Sequence, residues 1–168
     1  MAQAADLSQA LVPRLGEFIR LRRDLHAHPE LAFEEHRTSA LVAQKLRDWG
    51  YSVTTGLGGT GVVGTLKRGT GGKALGLRAD MDALPILENT QAAWASLTTG
   101  KMHACGHDAH TTCLLGAATI LNENKDAFEG TVKLIFQPGE EKNPGGAHLL
   151  IKEGVLENPK PAAIFALH

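Results

Sequence analysis

The chain has 168 residues, 43% of them hydrophobic, with a formal net charge of −1, which is material for one core of ordinary domain size. The near-neutral balance, with no run of lysine and arginine along one face, excludes nucleic acid and an anionic membrane surface as expected partners. The first twenty residues are broken by Pro13, Arg14, Glu17 and Arg20, so they form neither the apolar run of a signal peptide nor a membrane span. Two cysteines, Cys105 and Cys113, make a structural disulfide improbable. The expectation is a soluble protein of the reducing cytoplasm.

From Leu7 to about His26, apolar residues at Leu11, Leu15, Phe18, Ile19 and Leu25 follow helical spacing, which predicts a first amphipathic helix in spite of Pro13. The stretch from Phe33 to Trp49, closed by Gly50, predicts a second. The period then shortens. Tyr51–Thr55, Gly61–Lys67 and Lys73–Ala79 read as strands, and the glycine clusters GLGG and RGTGG between them read as hairpin turns. Thr111–Asn122 predicts a helix, Thr131–Gln137 a buried strand, Gly146–Glu153 a short helix and Ala162–Leu167 a further strand.

Alternating strands and helices in the second half imply parallel strands under covering helices. The expected fold class is therefore a layered α/β domain with a mainly parallel central sheet. In such sheets ligands gather outside the carboxyl ends of the strands. The polar clusters lie there: RADMD after one strand, QPGEE after the next, and His168 after the last.

Between His103 and His110 stand three histidines, an aspartate and a cysteine. Cys105 and His107, two apart, leave one face of an extended segment and precede a helix whose N-terminus favours a thiolate. Together they are strong ligands for a divalent ion, with His103 and His110 as further candidates. Glu140 and Glu141 are adjacent, so one can ligate while the other serves as a base close to the metal but not bound to it. Asp80 and Asp82 can bind metal, orient a ligand histidine or cap a turn. Cys113, among Leu114, Leu115 and Ala117, reads as core. Gly145 and Gly146 allow close backbone approach to a ligand.

Five segments in order, RRDLHAHPELAFEE, RADMDALP, MHACGHDAHTT, FQPGEE with GGA, and ALH, resemble the metal-dependent amidohydrolases that include hippurate hydrolase, N-acyl-L-amino acid amidohydrolases and plant indole-acetyl-amino-acid hydrolases. The resemblance runs from about Arg22 to His168. It implies a zinc-peptidase-like catalytic domain, one or two zinc or manganese ions, and hydrolysis of N-acyl amino acids by a metal-activated water. By motif match, Cys105, His107, Glu141 and His168 are metal ligands, Glu140 is the acid/base, and Asp82 supports the site, although the wider superfamily carries His-x-Asp where this chain has Asp80-Met81-Asp82. The resemblance further implies that residues 1–168 are the N-terminal part of that domain. A lid and dimerisation domain, and a homodimer, then belong to a longer protein, and the 168 residues alone are expected to be inactive. Two rival readings are a cysteine hydrolase with Cys105 as nucleophile and a noncatalytic metal-binding or assembly module.

Overall fold

A computed structural model describes residues 7–167. Leu7–Arg14 is a 3-10 helix with Pro13 inside it, and α1 (Leu15–Ala27) follows. The single helix expected from Leu7 is thus two pieces, because proline lacks the N–H and crowds the carbonyl four residues earlier. The second helix, α2 (His36–Asp48), begins three residues later than expected. Its free N-terminal amides at Arg37 and Thr38 are each accepted by the Glu30 carboxylate at 2.8 Å, so the preceding residues are needed as a capping loop.

Five strands follow the expected segments closely: β1 (Ser52–Leu57), β2 (Gly61–Arg68), β3 (Ala74–Asp80), β4 (Gly130–Gln137) and β5 (Ala163–Ala166). Two helices alternate with them, α3 (His107–Glu123) and α4 (Gly146–Lys152). The sheet order is β1-β2-β4-β3-β5. β3 pairs in parallel with both β4 and β5, while β1–β2 and β2–β4 are antiparallel. The layered α/β class holds, with the parallel strands in the second half as expected and a mixed sheet overall.

The GLGG cluster joins a hairpin. RGTGG does not, because β4 lies between β2 and β3 and pairs with both. The cluster instead passes the start of β4, where a Cβ on Gly71 would lie 3.0 Å from the Gly130 amide nitrogen. Packed on one face by the long helices and on the other by Leu150 and Val155, β4 is buried at all eight positions. Val132, Leu134 and Phe136 meet Phe18, Val42, Leu46, Leu114 and Leu115 of the three long helices, and Ile135 meets Leu150 and Val155 on the other face.

This arrangement sets the site. The parallel register brings Asp80 opposite Gln137, so β3 and β4 deliver RADMD and QPGEE to the same edge. Among the described residues no helix is long and apolar enough to cross a membrane.

Candidate functional site

Helix α3 starts four residues before the expected Thr111, at His107, and Gly106 ahead of it adopts φ 89°. The left-handed turn suits glycine, and it reverses the chain between Cys105 and His107. His107, His110, Thr111 and Leu114 then share one helix face. That face meets the end of β3, where the Thr111 hydroxyl donates to the Asp80 carbonyl at 2.9 Å.

His107 is fully buried. Its Nδ1 donates to the Asp82 carbonyl oxygen at 2.8 Å. Because a carbonyl can only accept, Nδ1 carries a proton, and in the neutral ring Nε2 is the nitrogen that presents a lone pair. Among the described residues Nε2 has no hydrogen-bond partner, and it lies 3.5 Å from Asp80 Oδ2, 4.0 Å from Glu140 Oε2 and 3.9 Å from Glu141 Oε1. Burial disfavours the imidazolium, but the Asp82 hydrogen bond and the Asp80 charge outweigh it and raise the His107 pKa. Asp82 moves the opposite way. Burial penalises its charge, yet His107 and the Glu141 and Glu140 amides hold the carboxyl below the usual carboxylate range. One of those amides, Glu141 N–H, donates to Asp82 Oδ2 at 2.9 Å.

Two groups of ligand atoms lie within 4.8 Å of one another: Cys105, His107 and Glu141, and Asp80, His107 and His110. Both depend on the one free lone pair of His107, so a single ion must choose between them. In the second group Asp80 is already engaged, by His110 Nδ1 at 2.7 Å and by Arg78 at 2.8 Å. In the first group the contact is the hydrogen bond between the Cys105 thiol and Glu141. That thiol is pushed up to about 11, first by lost hydration and then by the hydrogen bond and charge of Glu141 with Glu140 and Asp80 behind. The helix N-terminus does not make Cys105 a free thiolate against three carboxylates. A divalent cation reverses that balance, so the orphaned imidazole nitrogen, the thiol and the carboxylate fit a borderline ion.

Of the sequence-derived candidates, Cys105, His107, Glu140, Glu141 and Asp82 come together, and His168 lies outside the described residues. His103 is buried with both ring nitrogens unpartnered. Gly146 approaches its own chain, not a ligand, since a Cβ there would lie 1.6 Å from the Pro138 carbonyl oxygen. Cys113 is exposed, not core, and lines an apolar groove with Leu11, Phe18 and Trp94.

Sequence reasoning missed the layer beneath. Asp108 is buried and accepts from His26 Nδ1 at 2.7 Å and Arg22 Nε at 2.9 Å. Glu35 is fully buried against Gly139. A signal existed, because Arg22, His26 and Glu35 all fall in the segment RRDLHAHPELAFEE.

A family model, Peptidase family M20/M25/M40, matches residues 76–168. The chain belongs to this peptidase family. It is 47% identical to hippurate hydrolase of Campylobacter jejuni over 94% of this chain and 42% of that protein. It is 50% identical to IAA-amino acid hydrolase ILR1-like 5 of Arabidopsis thaliana over 89% of this chain and 34% of that one. Among solved structures, YXEP of Bacillus subtilis, described as a dinuclear metal binding peptidase from the M20 family, matches with a TM-score of 0.85 and 41% identity, covering 91% of this chain and 42% of its own. The chain thus spans less than half the length of these relatives. Hydrolase relatives and the shared fold agree with the resemblance read from the five segments.

Proposed function

We propose that this chain supplies the metal-binding and acid/base half of an amidohydrolase that cleaves N-acyl amino acids, a substrate class suggested by relatives named for hippurate and IAA-amino acids. The observation that carries the reading is the Nε2 of buried His107, without a hydrogen-bond partner among the described residues and facing Cys105, Glu140 and Glu141. In this reading Cys105, His107 and Glu141 hold a divalent ion, zinc or manganese, with His168 as a further ligand from the motif match. A second ion is suggested by the dinuclear YXEP protein.

Held by Cys105, His107 and Glu141, a divalent ion would supply Lewis acidity to a water and to the amide carbonyl. Glu140 takes the proton of the attacking water and returns it to the leaving amine. Its side chain is 27% exposed, open enough for water to reach it. Asp82 fixes the imidazole through its carbonyl and the Glu141 backbone through its carboxylate, so it orients both ligands without touching substrate. The cysteine-nucleophile alternative loses ground because lost hydration and the neighbouring Glu141, Glu140 and Asp80 carboxylates raise the thiol to about 11, which leaves little thiolate to attack.

In a protein carrying this chain at the length of its relatives, Glu140→Gln retains metal and loses about 10²–10⁴-fold in turnover of an N-acyl amino acid. Glu141→Gln instead loses metal. Elemental analysis after dialysis, read beside amino acid release, checks both, and the reverse pattern exchanges the two roles. The 168 residues alone are expected to bind metal without appreciable turnover of hippurate, which the same assay measures.

A further inference from the structure

The loop that carries Glu140 and Glu141 is held from three sides. Gly139 N–H donates to Glu35 Oε1 at 2.7 Å, the Gly139 carbonyl accepts from Gly146 N–H at 2.9 Å, and Glu141 N–H donates to Asp82 Oδ2 at 2.9 Å. Both backbone groups of Gly139 are therefore fixed immediately before Glu140, and the next pin comes immediately after it. Gly139 has φ 54°, and a Cβ there would lie 2.4 Å from the Phe33 ring. Phe33 itself is at φ 67°. Residues 33–35 and 138–141 thus form one close-packed contact with no room for adjustment.

Glu35 is the fully buried carboxyl of that contact, and it is expensive. Burial raises its carboxyl above the ordinary range in spite of hydrogen bonds from Thr60 and the Gly139 amide. Taking a carboxylate out of water is costly even when its oxygens are hydrogen-bonded. Packing alone would be served by an apolar residue of the same size. A carboxylate adds two acceptor oxygens in one rigid plane: Oε1 takes the loop amide and Oε2 takes the Thr60 hydroxyl at 2.5 Å. Thr60 is the last turn residue before β2, so Glu35 ties the acidic loop to the hairpin side of the sheet as well as to α2.

We infer that Glu35 is a positioning residue for the metal site, setting the placement of Glu141 as ligand and Glu140 as acid/base through the Gly139 amide. The inference rests on the ligand reading given above. Loss of an outer partner of this kind commonly costs about 10–100-fold in metal affinity.

The test is a double-mutant cycle on zinc affinity, measured by competition with a chromophoric chelator. Glu35→Ala weakens zinc binding about tenfold. In the Glu141→Gln background, where the loop ligand is already lost, the same change costs less than about twofold, because the two residues act through one contact. Glu35→Gln restores affinity to within about twofold of the parent: its oxygen can accept the Gly139 amide while its NH₂ donates to Thr60. If Glu35→Ala does not fold, Thr60→Val replaces it in the cycle, removing one of the two anchors, with an expected loss of about threefold. Equal losses in both backgrounds, or no loss with either variant, overturn the inference. Parental affinity in Glu141→Gln overturns the ligand reading and this one with it, whereas loss in Glu141→Gln without loss in Glu35→Ala overturns this one alone.

Discussion

The two layers of carboxylates at the carboxyl ends of β3 and β4 differ in what surrounds them. In the outer layer, Glu140 and Glu141 keep side chains 27% and 25% exposed and face Cys105 and the free nitrogen of His107. In the inner layer, Glu35, Asp80, Asp82 and Asp108 are at most 1% exposed. Each of these has an oxygen committed to a named donor: Thr60 and Gly139 for Glu35, His110 for Asp80, Glu141 N–H for Asp82, and Arg22 with His26 for Asp108. A buried charge survives only when paired, so the inner layer is bound to its partners and serves to hold. The outer layer, partly exposed, is the part that in the proposed reading binds metal and moves protons. Reactivity and rigidity are separated by only a few ångströms.

Removing an inner carboxylate should therefore cost stability, and the largest effect falls on Asp108. Asp108→Ala leaves buried His26 without its Nδ1 partner, with only Glu88 on Nε2, and removes the ion pair of Arg22. The partial exposure of Arg22, 34% at the side chain, lets water compensate in part, so the expected loss is about 3 kcal/mol, at the low end for breaking a buried pair. Chemical denaturation measures it. A change below about 1 kcal/mol would show that the inner layer is not structural at this position.

A smaller effect concerns pH. Glu35 has a folded pKa raised above its unfolded value of about 4.3. Between those two values the unfolded chain holds fewer protons at this group than the folded one, so this contribution to stability is greatest at the acid side and falls as pH rises through the window. Glu35→Gln removes that slope. Denaturation midpoints compared from pH 4 upward should fall more steeply for the parent than for the variant, and parallel curves would contradict the assigned direction.

Much of the outer layer was legible in the sequence. Cys105 and His107 stand two apart in a chain with two cysteines, and Glu140 and Glu141 follow the end of a Leu-Ile-Phe strand, so local spacing made them candidates and the motif resemblance gave them roles. The inner layer depends on contacts across the fold. Asp108 meets Arg22 and His26 at separations of more than eighty residues, and Glu35 meets Gly139 at 104, which no local period encodes. The sheet order failed for the same reason. RGTGG reads as a hairpin because a tight turn and a crossover both begin with glycine, and the strand that separates β2 from β3 arrives about sixty residues later. The burial of Cys113 was misjudged because its neighbours Leu114 and Leu115 are core, while a step of 100° around the helix turns the thiol outward.

The two cysteines give the most direct test of the central claim, that Cys105 with His107 and Glu141 forms the metal site. The chain is loaded with cobalt(II) in place of the native ion, and the thiolate-to-cobalt charge-transfer absorption is recorded for the parent, Cys105→Ala and Cys113→Ala. The account predicts the band in the parent and in Cys113→Ala, which should also lose less than about 0.5 kcal/mol of stability as an exposed substitution, and its absence in Cys105→Ala. A band that survives in Cys105→Ala, or disappears in Cys113→Ala, would contradict it.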